Sequence, residues 1–195
     1  MIFVNFKTYQ QGTGEAALVL AKICQAVEET SGIKIIPVVQ ATDVSRLVNV
    51  GLDVWSQYVF VSGAKGVLLN HSEKKLSFED LRIMMEKRQN FQTLICTESI
   101  KEGQRIATLK PDFLAYEPPE LIGGEISVSQ ARPEIIREFV EKIRNIPILV
   151  GAGIHQQIDV KKALELGAKG VLVSSDVVLS ENPQQELLDL TGGFK

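Results

Sequence analysis

A short apolar run rich in β-forming residues recurs eight times along the 195 residues, and an amphipathic helical pattern follows most of these runs. Runs that are apolar on both faces belong to parallel sheets covered by helices. They fall near residues 2–6 (IFVNF), 34–39 (KIIPVV), 53–59 (DVWSQYV), 66–70 (GVLLN), 92–96 (QTLIC), 112–116 (DFLAY), 146–150 (IPILV) and 170–174 (GVLVS). Helical spacing covers about 14–30, 42–50, 78–89, 99–108, 132–144 and 156–166, with a weaker pattern over 183–190. Thr42 and Ser77 are candidate N-caps, Ser77 with Asp80 at capping-box spacing, and Gly32, Gly51 and Gly167 mark expected helix ends. No linker or low-complexity tract divides the chain, so residues 1–195 read as one α/β domain. Eight strands with right-handed crossovers either close into a barrel or stay open and doubly wound; the even repeat favours closure.

A hydrophobic fraction of 45% supplies a sizeable core, and a net charge of −3 with both signs interspersed gives no footprint for nucleic acid or an anionic membrane. No apolar run approaches the roughly 20 residues of a membrane span, and the first residues, MIFVNFKTYQ, lack the parts of a signal peptide, so a cytoplasmic protein is expected. Cys24 and Cys96 have neither metal-ligand spacing nor a disulfide-rich context and read as reduced packing residues. With only two histidines a histidine-rich metal site is excluded, and no cysteine pair replaces it.

In a closed barrel the chemistry gathers at the C-terminal ends of the strands. There stand Asn5 and Lys7 after the first run, Asn70, His71 and Glu73 after the fourth, and Cys96 and Glu98 after the fifth. Glu117 follows the sixth, Gly151 and Gly153 the seventh, and Ser174 and Ser175 the eighth. A lysine, a histidine and a glutamate would meet beside two small-residue loops whose N–H groups can cradle an anion. The set suits proton transfer next to a carbonyl, with Glu117 as base, His71 as donor and Lys7 as positive charge. Each also has a plain structural reading. His71 is open to being a satisfied polar residue, Glu117 an ion-pair partner or cap before Pro118-Pro119, and Lys7 a snorkelling side chain. Gly151-Ala-Gly153 reads equally as a tight turn, and His155 as a solvent-facing cap.

Asn5-Phe-Lys7, Asn70-His71-Ser72-Glu73-Lys74-Lys75, Glu117-Pro-Pro-Glu-Leu-Ile-Gly123, Gly151-Ala-Gly153 and Gly170-Val-Leu-Val-Ser174 resemble, in order and spacing, the signature segments of the triosephosphate isomerase family, in its shorter archaeal-type form. The resemblance implies a (β/α)8 TIM barrel that interconverts dihydroxyacetone phosphate and glyceraldehyde 3-phosphate through an enediolate without metal or cofactor. It implies Glu117 as the base, His71 as the electrophile and Lys7 with Asn5 as stabilisers of negative charge. It further implies Glu73 as a partner of Lys7, Cys96 behind the site, and Gly123, Gly151, Gly153, Ser174 and Ser175 around the phosphate. A neutral imidazole at a helix N-terminus is implied too; this family is the standard worked example of it. Pro118 to about Ser129 would form a lid that excludes water.

Three departures from the family pattern stand out. Gly123-Gly124-Glu125 replaces Gly-Thr-Gly in the lid, and Asp176 brings a charge beside the phosphate loop, where its side chain is expected to point away. The third lies in a repeat: GAKGVL at 167 follows a full helical pattern, but GAKGVL at 63 follows only YVFVS. Parallel crossovers normally need about a dozen residues or more, so the helix between strands three and four is expected to be missing. The resemblance implies a loop there that steadies the lysine and histidine of a neighbouring subunit, and here it is too short. A homodimer is expected through the side this uncovers, around the apolar segment Val54 to Val61. Two rival readings are a transferase or lyase on a similar barrel, and a phosphosugar binder without turnover.

Overall fold

The computed structural model describes residues 1–119 and 132–195. Its strands are β1 (Ile2–Asn5), β2 (Ile35–Val39), β3 (Trp55–Gln57), β4 (Gly66–Leu69), β5 (Gln92–Thr97), β6 (Phe113–Tyr116), β7 (Ile148–Val150) and β8 (Gly170–Val173). Each pairs in parallel with the next, and β8 returns to β1 through Ile2↔Val171 and Phe3↔Leu172, closing the barrel. Of the two architectures open to the sequence, closure is the one realised. Around it run α1 (Gly14–Ser31), α2 (Ala41–Val48), α3 (Phe78–Lys87), α4 (Ile100–Ala107), α5 (Pro133–Lys142), α6 (Gln157–Glu165), α7 (Ser175–Val178) and α8 (Pro183–Thr191). The four-residue α7 had no counterpart in the periodicity, which is too coarse for a single turn. No helix among the described residues is long and apolar enough to cross a membrane.

The two-residue period of each strand sorts its side chains between two cores. Phe3, Ile36, Val38, Trp55, Leu68, Leu94, Cys96, Ala115, Leu149 and Leu172 fill the barrel, while Ile2, Val4, Val67, Leu69, Leu114, Val150 and Val171 face the helices. At the floor Phe3 meets Trp55 edge-on with centroids 4.9 Å apart, and Phe113 closes the cluster 5.6 Å from Phe3. Truncating Trp55 here would cost about 3–5 kcal/mol. The repeated GAKG device has a common mechanism. Gly63 and Gly167 turn at φ 92° and 102°, a conformation glycine adopts without penalty. Gly66 and Gly170 then begin strands where a Cβ would sit 2.6 Å from the Trp55 ring or 2.1 Å from the Met1 carbonyl oxygen.

Ser77 caps α3 by accepting from the Asp80 N–H, as expected, but Thr42 is not a cap. The helix begins at Ala41 with extended Gln40 before it, because the chain turns directly out of β2, leaving Thr42 inside the first turn. Among the described residues no helix stands between β3 and β4; residues 58–65 link them by turns and bends alone. The outer face there is covered by the link itself. Phe60 packs on Phe91 at 5.1 Å, Val61 joins the outer core, and Trp55 points into the barrel. Of the large apolar side chains from Val54 to Val61, only Val59 is exposed, at 41%, so the broad apolar patch expected on this side is not there.

Candidate active site

The inward positions of the strands continue past the apolar filling to the mouth of the barrel, where the next side chain in register is polar. Beyond Phe3 comes Asn5, beyond Trp55 comes Gln57, and beyond Ala115 comes Glu117; beyond Leu149 and Leu172 come Gly151 and Ser174. Asn5, Gln57, His71 and Glu117 are all buried. The sequence-expected set therefore converges, with Lys7 and His71 brought in from the loops after β1 and β4.

Glu117 is 4% exposed, and its carboxylate sits in a slot that only glycine permits opposite. A Cβ on Gly151 would stand 2.6 Å from Glu117 Cγ, so Gly151 makes room for the carboxylate. Burial pushes the Glu117 pKa up to about 7, against the pull of a hydrogen bond from the Cys96 thiol and of Lys7 and Lys75. Its Oε2 has no hydrogen-bond partner among the described residues, and neither do Asn5 Nδ2 and Gln57 Oε1. Buried polar atoms are nearly always satisfied, so unpaired atoms clustered at one mouth point to a polar ligand. Cys96 is buried below the carboxylate, its own pKa raised well above that of an ordinary thiol by burial and by Glu117.

His71 Nε2 lies 3.8 Å from Glu117 Oε1. On the opposite side of the ring the Glu73 backbone N–H donates to Nδ1 at 3.3 Å, so Nε2 carries the proton and faces the mouth. Burial holds the His71 pKa down to about 4, helped by Lys7 and Lys75 and opposed by Glu73, so the ring is neutral at pH 7. The segment after His71 is a hydrogen-bonded turn, Lys74 N–H to His71 C=O at 2.8 Å, where a helix N-terminus was expected. One backbone N–H from that turn fixes the tautomer.

Lys7 reaches Glu73 at 3.4 Å, as the sequence suggested, and its N–H donates to Asn5 Oδ1 at 3.1 Å. Asn70, at φ 57°, donates to the Cys96 C=O at 2.8 Å and to Glu102 at 3.0 Å, tying the β4 and β5 loops together. Glu98 joins the edge of this network, its backbone N–H donating to Glu102 Oε2 at 2.6 Å and its carboxylate pairing with Lys75 at 3.0 Å. On the far side of the mouth Ser174 Oγ donates to the Asn5 C=O at 2.7 Å, and Ser174 and Ser175 open α7. Gly153 turns the β7 loop at φ 64°. Asp176 is held by His155 from that loop, with Oδ2 2.9 Å from Nδ1, so His155 has a partner across two loops where the sequence suggested a solvent-facing cap. Gly123 and the expected lid beyond Pro119 lie outside the described residues.

Sequence reasoning missed Gln57 and Tyr58. Gln57 Nε2 donates to the Lys7 C=O at 3.1 Å, and Tyr58 Oη donates to Glu73 Oε2 at 3.1 Å. A usable signal was present: in DVWSQYV the position two after inward Trp55 is polar, as at the other strand tips.

Residues 85–190 match the family model described as triosephosphate isomerase. The triosephosphate isomerase of Methanothermus fervidus is 39% identical over 214 aligned residues, covering 97% of this chain and 96% of that protein. That of Methanocaldococcus jannaschii is 37% identical, covering 97% and 98%. The 214 aligned positions exceed the 195 residues of this chain, so the alignments carry gaps on its side, in keeping with a shortened segment. Among solved structures, a thiamine phosphate pyrophosphorylase from Pyrococcus furiosus superposes with a TM-score of 0.69 at 14% identity, covering 98% of this chain and 94% of that one. A mandelate oxidase superposes with a TM-score of 0.73 at 14% identity, covering 98% and 70%. These two likenesses concern the barrel alone.

Proposed function

This chain belongs to the triosephosphate isomerase family, and from that premise we propose how its own residues interconvert dihydroxyacetone phosphate and glyceraldehyde 3-phosphate. Glu117 takes the proton from C1 of the ketose, and the electron pair left on carbon moves to make an enediolate. The His71 Nε2–H donates to the substrate oxygens, while Lys7 Nζ and Asn5 Nδ2 stabilise the negative charge as it develops. The hydroxyl proton on O1 passes by way of His71 Nε2 to O2, protonated Glu117 returns the carbon-bound proton to C2, and the C1 carbonyl of the aldose forms. The N–H groups of Gly153, Ser174 and Ser175 hold the phosphate, and Gly123 joins them in the same reading. The observation that carries the proposal is the pairing of a buried, partly unsatisfied carboxylate with a neutral imidazole donor 3.8 Å away. A base with a pKa of about 7 is matched to proton abstraction near neutral pH.

The test is isomerisation of glyceraldehyde 3-phosphate by the purified chain without added metal, alongside Glu117→Gln. Removing the general base should lower kcat by about two to four orders of magnitude. A loss below about tenfold would remove Glu117 from this role.

The chain in this reading is cytoplasmic and pairs as a homodimer, with each mouth complete within one chain. Buried, unpaired Cys24 and Cys96 suit a reducing compartment. Support for pairing through the β3–β4 side has narrowed to exposed Val59, since Phe60 is occupied by Phe91. Light scattering decides it: a single species near the 21.5 kDa chain mass, unaltered by Val59→Glu, would leave a monomer.

A further inference from the structure

The exit of β3 contains a strained turn that local energetics do not explain. Val59 N–H donates to the Gln57 C=O at 2.8 Å across Tyr58, whose φ is 66°, giving a three-residue γ-turn of the rare hand. A positive φ at a bulky residue is an outlier, and such residues persist where their surroundings over-determine them. Here Tyr58 N–H donates to the Leu68 C=O at 2.9 Å, and Ser56 Oγ donates to the Val59 C=O at 2.5 Å. Glycine would adopt this turn without penalty. What glycine cannot supply is the phenol.

That phenol donates to Glu73 Oε2 at 3.1 Å, while Glu73 Oε1 stands 3.4 Å from Lys7 Nζ. The Glu73 N–H is the group that fixes the His71 tautomer. One residue earlier, Gln57 grips the Lys7 carbonyl, so the β3 exit holds Lys7 by its backbone and, through Glu73, by its ammonium. Lys7 is itself at φ 49° and needs such bracing. The Glu73 side chain is 41% exposed, and an exposed lysine–glutamate pair alone holds its geometry weakly. A third contact from a ring that is itself braced, with Lys74 Nζ 5.4 Å from its centroid, changes that. Burial and the Glu73 charge push the phenol pKa well above its ordinary value, so it remains a donor throughout the working pH range.

We propose that Tyr58 is a positioning residue: it anchors Glu73, and through it Lys7 and the His71 turn, so that a single chain preorganises its own catalytic mouth without a contribution from a second subunit. The inference rests on the isomerase reading and deepens it. Tyr58→Phe removes one oxygen and keeps the ring, so the fold should be retained. With Glu73 held only by Lys7, kcat/KM should fall about three- to tenfold, mainly in kcat, with melting temperature unchanged to about 2 °C. In a Glu73→Gln background the same substitution should cost less than about twofold, because the path to Lys7 is already cut. Specific activity of the unsubstituted chain should hold on dilution to concentrations where sizing shows monomer. Tyr58→Phe activity equal to that of the unsubstituted chain would overturn the proposal. So would equal losses in both backgrounds, or activity that vanishes with dissociation. Failure of the unsubstituted chain to isomerise triose phosphates at any concentration would instead overturn the catalytic reading beneath it.

Discussion

Replacing Glu117 with glutamine should stabilise the protein while disabling it, and the gain should depend on pH in a defined direction. The folded-state pKa is raised from 4.5 to about 7, with burial the largest cause. A carboxyl so shifted favours folding in its neutral form: its contribution is fully present below about pH 4.5 and is lost as pH rises through about 7. At about 1.36 kcal/mol per pKa unit, keeping the charge buried above neutrality costs about 3 kcal/mol. Glutamine fills the same space without charge, though its amide brings a donor that needs a partner, which offsets part of the gain. For a chain of this size about 1 kcal/mol moves the melting temperature by about 2–4 °C, so Glu117→Gln should melt about 3–8 °C higher at pH 8.5. At about pH 5 the advantage should shrink to a fraction of that, since both side chains are then nearly neutral. Circular dichroism melts of the two proteins at both pH values measure it. An equal shift at both values, or a glutamine variant less stable at pH 8.5, would refute the reasoning that burial of the charge is what raises the pKa.

The same carboxyl should set the acid limb of catalysis: kcat/KM falls about tenfold per unit below pH 7, with no second limb from His71 until about pH 4, which a pH–rate profile tests. Gly151→Ala should lower kcat more than about tenfold with binding of inorganic phosphate retained, because the new Cβ displaces a carboxylate whose Cγ lies 2.6 Å away; isothermal titration beside kinetics separates the two effects. Lys7→Ala should damage both kcat and KM, and unchanged constants would end its electrostatic role. His155→Gln should raise KM about threefold at constant kcat by freeing Asp176 to oppose the phosphate, and Asp176→Ser in the same chain should restore it; a KM unmoved by either change places that charge out of reach.

The barrel and most of its mouth were legible because both follow from a period of two. Apolar runs of strand length marked the strands, and the rule that chemistry gathers at their C-terminal ends picked out Asn5, Glu117, Gly151 and Ser174, which the structure shows one further step along the inward face. The absent helix was legible by arithmetic, since residues 58–65 are too few to hold one and its turns. What covers that gap was not. The packing of Phe60 on Phe91 depends on how the turns after β3 fold back against the neighbouring loop, and a residue string carries no such geometry. The bond from His155 to Asp176 is of the same kind, joining loops that follow different strands.

Backbone strain divides along the same line. Among the described residues six non-glycine residues have positive φ, and three of them, Gln89, Lys110 and Asn145, lie just beyond α3, α4 and α5 at the floor. Ending a helix in this way is a local need, and glycine or asparagine meets it. The other three, Lys7, Tyr58 and Asn70, stand at the mouth, each with a side chain that bonds to another loop. At the floor the conformation matters and the side chain is incidental; at the mouth the side chain matters and the conformation is tolerated for its sake. Each strained residue costs on the order of 1 kcal/mol or more, which the two packed cores sustain. Local propensity therefore fails as a guide at the residues that brace the barrel mouth, and a mismatch between residue type and backbone at a strand tip is itself a mark of the candidate site.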